Sequence, residues 1–197
     1  MNYPDFFDSI ETIKMHDELS EFLGATEDGM LEFFYIDVVK TAGHSCGVVA
    51  GAYLSALKGL KTLYKDELPE RGKIKVEIKK GATEDNAGVT GCVISNITGA
   101  TTDYGFAGLP NGKFNRRDLL FYNAPIESEI RLTRLDTGKQ VEINYHPEKA
   151  VNSKQILMSA FGPNATEEDK KTFPERFQNM VKTIFEKADV VIEVKEI

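Results

Sequence analysis

The stretch Thr41-Ala42-Gly43-His44-Ser45-Cys46-Gly47, with the small-residue run 47–60 directly after it, organises the chain. The apolar run 33–39 precedes it and predicts a buried strand, while the run after it predicts a helix. His44 and Cys46 therefore lie on a loop between two rigid elements. The first turn of a helix has unpaired N–H groups and partial positive charge, which favours the thiolate form of a cysteine placed there. This arrangement suits a metal ligand or a nucleophile.

Small residues recur every four positions in the predicted helix, at Gly47, Gly51, Ser55 and Gly59. Residues four apart lie on the same side of a helix. Each glycine costs roughly 1 kcal/mol relative to alanine in a helix interior. The repetition predicts that another backbone approaches closely along this side. The helix, expected to end near Tyr64, is predicted to be central in the fold.

Composition narrows the classes of protein. The chain has 197 residues and a net charge of −7, with no basic run, which argues against nucleic-acid binding. No stretch of about 18 apolar residues predicts a transmembrane helix, and no membrane partner is expected. The start of the chain lacks a basic and apolar signal, so a cytoplasmic location is expected. Its two cysteines, Cys46 and Cys92, exclude a four-cysteine zinc finger within one chain, and a cytoplasmic disulfide is disfavoured.

Hydrophobic periodicity predicts the remaining elements. Helices are predicted at 5–23, 153–161 and 172–187, and the apolar segment 89–97 could be a helix or a strand, with a helix favoured. Strands are predicted at 31–39, 73–80, 119–123, 129–135, 140–145 and 190–194. The last helix is predicted to open at a capping box that starts at Thr172, with Pro174 in the first turn. Three consecutive short strands in the middle favour an α+β fold, with a mixed or antiparallel sheet packed against the central helix.

Two other histidines and a glycine-rich segment are weaker candidates for a site. His16 lies in the first predicted helix without an evident partner and is interpreted as a surface histidine. His146 precedes a proline and is interpreted as a turn residue. The segment 98–117 is rich in glycine and could cradle an anion, but it has no nucleotide-binding P-loop pattern. A long connection is the favoured interpretation.

Two motifs give the chain a resemblance to the FmdE family of formylmethanofuran dehydrogenase subunits over about residues 30–145. They are the run Gly43-His44-Ser45-Cys46-Gly47 and, beyond Cys92, the run Thr98-Gly99-Ala100-Thr101. The resemblance implies an α+β domain, often dimeric, with a metal near the His-x-Cys turn. The chain departs from the family pattern because Ala42 replaces a histidine and Ala100 a cysteine. The family's C-terminal zinc finger cannot form from this chain's cysteines. A single domain over residues 1–197 is expected, in which an N-terminal helix and a C-terminal helix–strand segment flank the core.

Together, motif and resemblance predict a metal site formed by His44, Cys46 and Cys92. Imidazole and thiolates suit zinc best among divalent transition metals, and three protein ligands would leave a position open for water or a small-molecule substrate. Glu84, Asp85, Asp103 and Tyr104 are loop residues that could supply a fourth ligand or carry protons.

Several alternatives to a metal-dependent enzyme stay open. The chain could be a non-enzymatic metal-binding or ligand-binding subunit of a larger complex. The cysteines could be buried structural thiols beside a hydrogen-bonded histidine. Thiol redox chemistry would require Cys92 to lie within disulfide reach of Cys46. A homodimer is also predicted, because the glycine stripe or the aromatic stripe of the helix at 172–187 could pack across a two-fold axis.

Overall fold

Helix α3, Gly47–Tyr64, is the element around which the others are arranged. A computed structural model describes residues 2–197 of the protein. In it, every residue of α3 from Val49 to Leu57 is buried. Three sheet strands and three helices pack against α3. The predicted central helix is confirmed, and its last residue is the predicted one.

The other elements follow in chain order. The helices are α1 Glu18–Phe22, α2 Tyr35–Ala42, α4 Ala87–Thr98, α5 Ser153–Phe161, α6 Glu167–Glu186 and α7 Ala188–Val191. The strands are β1 Ile13–His16, β2 Met30–Phe33, β3 Ile74–Ile78, β4 Leu120–Phe121, β5 Ile130–Arg134, β6 Gln140–Tyr145 and β7 Ile192–Glu196. Short 3-10 helices occur at Asp5–Ser9 and Pro147–Lys149.

The main sheet has the strand order β4-β3-β5-β6-β7. Strands β3 and β4 are parallel, and the other neighbours are antiparallel. Strands β1 and β2 form a separate antiparallel pair. The protein therefore has an α+β fold with a mixed sheet, as the run of short strands predicts. Within the described part of the chain, no helix combines the length and apolarity needed to cross a membrane.

The glycine side of α3 rests on the inner face of the main sheet. A Cβ on Gly51 would overlap the ring of Tyr145. A Cβ on Gly59 would lie 2.5 Å from Cδ1 of Ile143 and 2.9 Å from Cδ1 of Leu132. The predicted approach of another backbone is wrong here, because side chains of the sheet fill the space beside Gly51 and Gly59. These glycines let α3 lie closer to β5 and β6 than a helix with side chains there could.

The single helix predicted at 5–23 is wrong. The segment forms a 3-10 helix, strand β1 and the short helix α1. Ile13 and Met15 are buried while Lys14 between them is exposed, which is the alternation of a strand. The carboxylate of Asp17 accepts hydrogen bonds from the N–H groups of Leu19 and Ser20, so a new helix begins there.

The strand predicted at 31–39 is confirmed only as far as Phe33. Beyond it, α2 begins at Tyr35, and the carboxylate of Asp37 accepts a hydrogen bond from the N–H of Phe34 at 3.1 Å. Tyr35, Val38 and Val39 are buried on one side of α2. An apolar run this short does not distinguish a strand from a buried helix.

The C-terminal helix begins five residues earlier than predicted (172 − 167), at Glu167. A capping box between Thr166 and Asp169 starts it. Pro174 lies inside the helix and not in its first turn. The closing strand also differs, since α7 occupies Ala188–Val191 and β7 starts at Ile192.

Candidate functional site

A groove of about 470 Å³ lies between α2, the loop after it and the first three turns of α4. Its polar lining residues are Thr41, His44, Asp85, Asn86, Cys92 and Asn96. Val38, Ala42, Val89 and Val93 form an apolar part of the wall. Two of the three predicted metal ligands, His44 and Cys92, therefore line the same groove.

Gly43 is the residue that turns the chain from α2 toward His44. It has a left-handed backbone conformation, with φ of 77°, and its N–H donates to the carbonyl of Val39 at 2.8 Å. A residue without a side chain adopts this conformation at little cost, and such a residue ends many helices. The glycine of the Gly-His-x-Cys motif thus ends α2 and allows His44 to reach the groove.

His44 is exposed, and one backbone contact favours a particular tautomer of its ring. Nδ1 lies 3.0 Å from the carbonyl oxygen of Ala42. Because a carbonyl oxygen only accepts, Nδ1 carries the proton in this contact, and in the neutral ring Nε2 keeps its lone pair. A histidine held through Nδ1–H by a backbone carbonyl is a common arrangement for a metal ligand or a proton acceptor.

Cys92 reaches the groove from the middle of α4. It is a free thiol and is exposed. Gly88 and Asn96, four residues before and after it, line the same groove, because residues four apart share a helix face. The amide of Asn96 donates to the hydroxyl of Thr41 at 3.0 Å and so connects α4 to α2. This spacing is the sequence signal that could have added Asn96 to the predicted site.

Cys46 has a different environment. It is partly buried, it packs against the hydrophobic core and it does not line the groove of His44 and Cys92. Its neighbours include Tyr35 and Tyr145, and burial raises the pKa of both phenols. The hydroxyl of Tyr35 is 2.9 Å from that of Ser45, and the hydroxyl of Tyr145 donates to the carbonyl of Gly47 at 2.8 Å.

The predicted set of three metal ligands is therefore divided between two environments. Within residues 2–197, no group of three or more His, Cys, Asp or Glu side chains is arranged to hold a metal ion. Metal coordination by His44, Cys46 and Cys92 together stays a prediction. An imidazole and a thiol are the nitrogen and sulfur ligand types that zinc takes, and both line this groove.

The four loop residues predicted as proton carriers are also separated. Asp85 lies on the groove wall, where its carboxylate pairs with the ammonium of Lys80 at 2.6 Å. The carboxylate of Glu84 accepts from the N–H of Gly81, which closes the loop before α4. Asp103 accepts from Thr102, and Tyr104 is exposed. Of these four, Asp85 alone lines the groove.

A second cavity, of about 600 Å³, shares Asp85 and Asn86 with the groove. It extends past the start of α3, at Val48, toward Tyr145 and Glu129. The N–H of Tyr145 donates to the Glu129 carboxylate at 3.0 Å. Asp85 and Asn86 thus line both concave surfaces.

Comparison with known proteins adds a distant likeness. No family profile matches the sequence, and no curated protein is significantly similar to it. Among solved structures, the chain is similar to an FmdE-like protein of the tungsten formylmethanofuran dehydrogenase type from Syntrophus aciditrophicus. The two are 15% identical, with a TM-score of 0.47, over 84% of this chain and 72% of that chain. At this level of similarity the comparison carries no conclusion about the site, and the function implied by the resemblance stays a prediction.

Proposed function

We propose that this chain is a metal-binding protein that holds one zinc-like ion in the groove through Nε2 of His44 and Sγ of Cys92. The observation that carries the proposal is that these two side chains line the same groove, with Nδ1 of His44 directed to the carbonyl of Ala42. Imidazole and thiolate are both strong zinc ligands. The groove is open to solvent at His44 and Cys92, so water or a small molecule can occupy the remaining positions.

The same arrangement supports a metal-dependent enzyme that acts on a small molecule. A bound zinc ion would lower the pKa of a coordinated water and polarise an oxygen of a substrate. In this enzyme the Ala42 carbonyl would orient the His44 ring. The Asp85 carboxylate would provide a proton acceptor on the groove wall. In a non-enzymatic subunit of a larger complex, the same two ligands would serve to carry or bind the metal.

Metal stoichiometry in matched variants tests this proposal. Wild-type protein, stripped of metal and titrated with zinc in a calorimeter, should bind about one ion per chain. His44→Ala and Cys92→Ser should each weaken binding by at least roughly tenfold, because each removes one of two protein ligands. His146→Ala is the control for loss of a histidine outside the groove and should bind as wild type does.

Cys46→Ser decides whether the third predicted ligand takes part. The side-chain arrangement leads us to expect unchanged zinc affinity in this variant. A loss as large as in Cys92→Ser would mean that Cys46 turns out of the core to complete a three-ligand site. No zinc binding by the wild type, or unchanged binding in both His44→Ala and Cys92→Ser, would overturn the proposal.

A second candidate function is binding of a small molecule without a metal. The apolar wall of Val38, Ala42, Val89 and Val93 favours it, because most ligand sites combine apolar walls with a few polar groups. This alternative would be supported by a small-molecule ligand that raises the melting temperature of the protein equally with and without a chelator. The same ligand should stabilise Cys92→Ser by the same amount. Stabilisation that disappears with the chelator would support the metal site.

A further inference from the structure

His16 is enclosed by carboxylates on both sides of its ring. Nδ1 lies 2.9 and 3.0 Å from the two carboxylate oxygens of Glu70, and Nε2 lies 3.2 Å from an oxygen of Glu21. His16 ends strand β1, Glu21 belongs to α1, and Glu70 lies in the turn before β3. The expectation that His16 has no evident partner is therefore wrong, whereas its side chain does remain partly exposed.

Both contacts are hydrogen bonds at the same time only when each ring nitrogen carries a proton. A carboxylate only accepts hydrogen bonds, and both nitrogens of histidine donate only in the imidazolium. A neutral ring would direct one lone pair at a carboxylate and lose that contact. The hydrogen bond to Glu70 raises the pKa of His16 above 6.5, burial opposes this, and Glu21 adds to the increase.

Asp17, the next residue, lies at the centre of a buried ion cluster. Its two carboxylate oxygens accept from Arg71 at 2.9 Å and from Arg116 at 2.6 Å. Asp17 and Arg116 are 3% and 6% exposed, so these ion pairs are screened little by water. Although burial raises the pKa of Asp17, the two guanidinium groups hold it below its ordinary value.

Arg71 connects this cluster to the groove helix. Its guanidinium donates to the carbonyls of Asn96 at 2.9 Å and Ile97 at 3.0 Å, in the last turn of α4. Those carbonyls have no partner within the helix, and a cation there also interacts favourably with the helix dipole. Asn96 is itself part of the groove wall. The C-terminal end of α4 is thus held by a residue that also binds Asp17.

Arg116 connects the cluster to segment 101–118, which contains most of the glycine-rich stretch 98–117 of the sequence. Its N–H donates to the carbonyl of Phe106, and its carbonyl accepts from the N–H and the hydroxyl of Thr101. The segment, all of whose residues the structure describes, contains no helix or strand and has Tyr104 and Phe106 exposed. Among these described residues only Arg116 is buried. Its side chain therefore attaches the segment to the rest of the fold.

We propose that His16 is a proton-operated latch that fixes the glycine-rich segment 101–118 and the C-terminal end of α4. While the ring is an imidazolium, it joins Glu21 of α1 to Glu70 and keeps Asp17 and Arg71 in register. The backbone supports this register, because the N–H of His16 donates to the carbonyl of Pro69 and the N–H of Arg71 donates to the carbonyl of His16. When the proton is lost, the contact between His16 and Glu21 of α1 is lost, and the ion pairs of Asp17 with Arg71 and Arg116 become weaker.

The direction of the pH effect follows from the contacts. A group whose pKa is raised in the folded state stabilises that state fully below its unfolded pKa, about 6.5 for histidine. The stabilisation is lost as pH rises through the folded pKa. The charged groups that contact His16 are Glu21 from α1 and Glu70 from the turn before β3, and beside them Asp17 and Arg71 form an ion pair with each other. Histidine is the residue type among these that titrates near neutral pH, so His16 is the group that switches.

Backbone amide exchange measured between pH 5.5 and 8.5 tests the latch on the full chain. After correction for the intrinsic pH dependence, protection in segment 101–118 and in the last turn of α4 should fall roughly fivefold or more across the range. His16→Gln should show low protection in both regions at every pH. His146→Gln is the matched control, because His146 also lies between two carboxylates, those of Glu148 and Glu193, at 3.3 and 3.4 Å. It should retain the wild-type profile.

Glu21→Gln keeps the proposal testable if His16→Gln folds poorly. Glu21 is half exposed, and its removal weakens only the Nε2 contact. Protection should then be lost at a lower pH than in wild type, in the same two regions. The proposal is overturned if Glu21→Gln keeps the wild-type midpoint, or if His16→Gln keeps the wild-type pH dependence.

Discussion

The residues that determine the candidate site are partly predictable from the chain alone. His44 and Cys92 are predicted as ligands, and the structure brings both to one groove. Cys46 is predicted beside them because it lies two positions from His44. The spacing does not reveal that Cys46 packs against the hydrophobic core while His44 lines the groove. Which way a side chain points depends on contacts formed by residues far away in the sequence.

The ion cluster at His16 cannot be predicted from local sequence. Glu70 and Arg116 are 54 and 99 positions from their partners in β1 and the following cap. Asp17 is recognisable as a helix cap only once the helix is known to begin after it. Its second task, holding two arginines, depends entirely on tertiary structure.

Gly72 provides a prediction at the scale of single residues. It has φ of 80°, and a Cβ there would overlap the guanidinium of Arg116. Gly72→Ala should therefore lower the free energy of unfolding by about 2–5 kcal/mol, through backbone strain plus displacement of a buried cation. Urea denaturation measures the change.

Gly112→Ala is the matched control for that substitution. Gly112 has φ of 76°, and no atom lies within 4 Å of the place that a Cβ would take. The variant should show only the strain of a left-handed alanine, about 1–2 kcal/mol. Equal losses in the two variants would mean that the packing of Arg116 against Gly72 contributes nothing to stability.

At the scale of elements, prediction succeeds where periodicity is long or strictly alternating. Helix α3 and strands β3 and β6 are found because their patterns extend over several turns or repeats. The segment 5–23 is misassigned because Phe6, Phe7, Ile10 and Ile13 imitate helical spacing, whereas the structure does not place them in one helix. Helix α2 is mistaken for a strand because its apolar residues are nearly continuous with those of β2.

The close packing of α3 on the sheet gives a prediction for that helix. Gly51→Ala should lower the free energy of unfolding by about 1–3 kcal/mol, because the new methyl group would displace the ring of Tyr145. The displacement would also disturb the hydrogen bond from Tyr145 to Gly47 at the start of the helix.

Gly47→Ala tests the same helix where there is space. A Cβ there would meet Cδ1 of Ile184 at 3.4 Å, an ordinary contact. The change in unfolding free energy should stay within about 0.5 kcal/mol. If thermal or urea unfolding gave the two variants the same stability, the sheet contact at Gly51 would not be the reason for that glycine.

At the scale of the whole molecule, the predicted homodimer must use a surface other than the glycine stripe, since the chain's own sheet covers that stripe. Helix α5 offers one: Leu157, Met158 and Phe161 are 43%, 50% and 75% exposed. The ring of Phe161 contacts Phe173 of α6. If α5 and α6 of a second copy packed here, these side chains could be buried across a two-fold axis.

Phe161→Glu tests the homodimer. Light scattering at micromolar concentration should give a dimer mass for the wild type and a monomer mass for the variant, because a charge in an apolar interface is costly. Leu135→Glu changes an exposed apolar residue in a different part of the chain, between β5 and β6, and should stay dimeric. A monomeric wild type would contradict the prediction.

X-ray absorption on the zinc-loaded full chain would show whether His44 and Cys92 together bind a metal in the groove. We expect one sulfur ligand at about 2.3 Å and nitrogen or oxygen ligands at about 2.0–2.1 Å. We also expect the sulfur contribution to disappear in Cys92→Ser and to persist in Cys46→Ser. A zinc shell without sulfur, or a sulfur that persists in Cys92→Ser and disappears in Cys46→Ser, would contradict it.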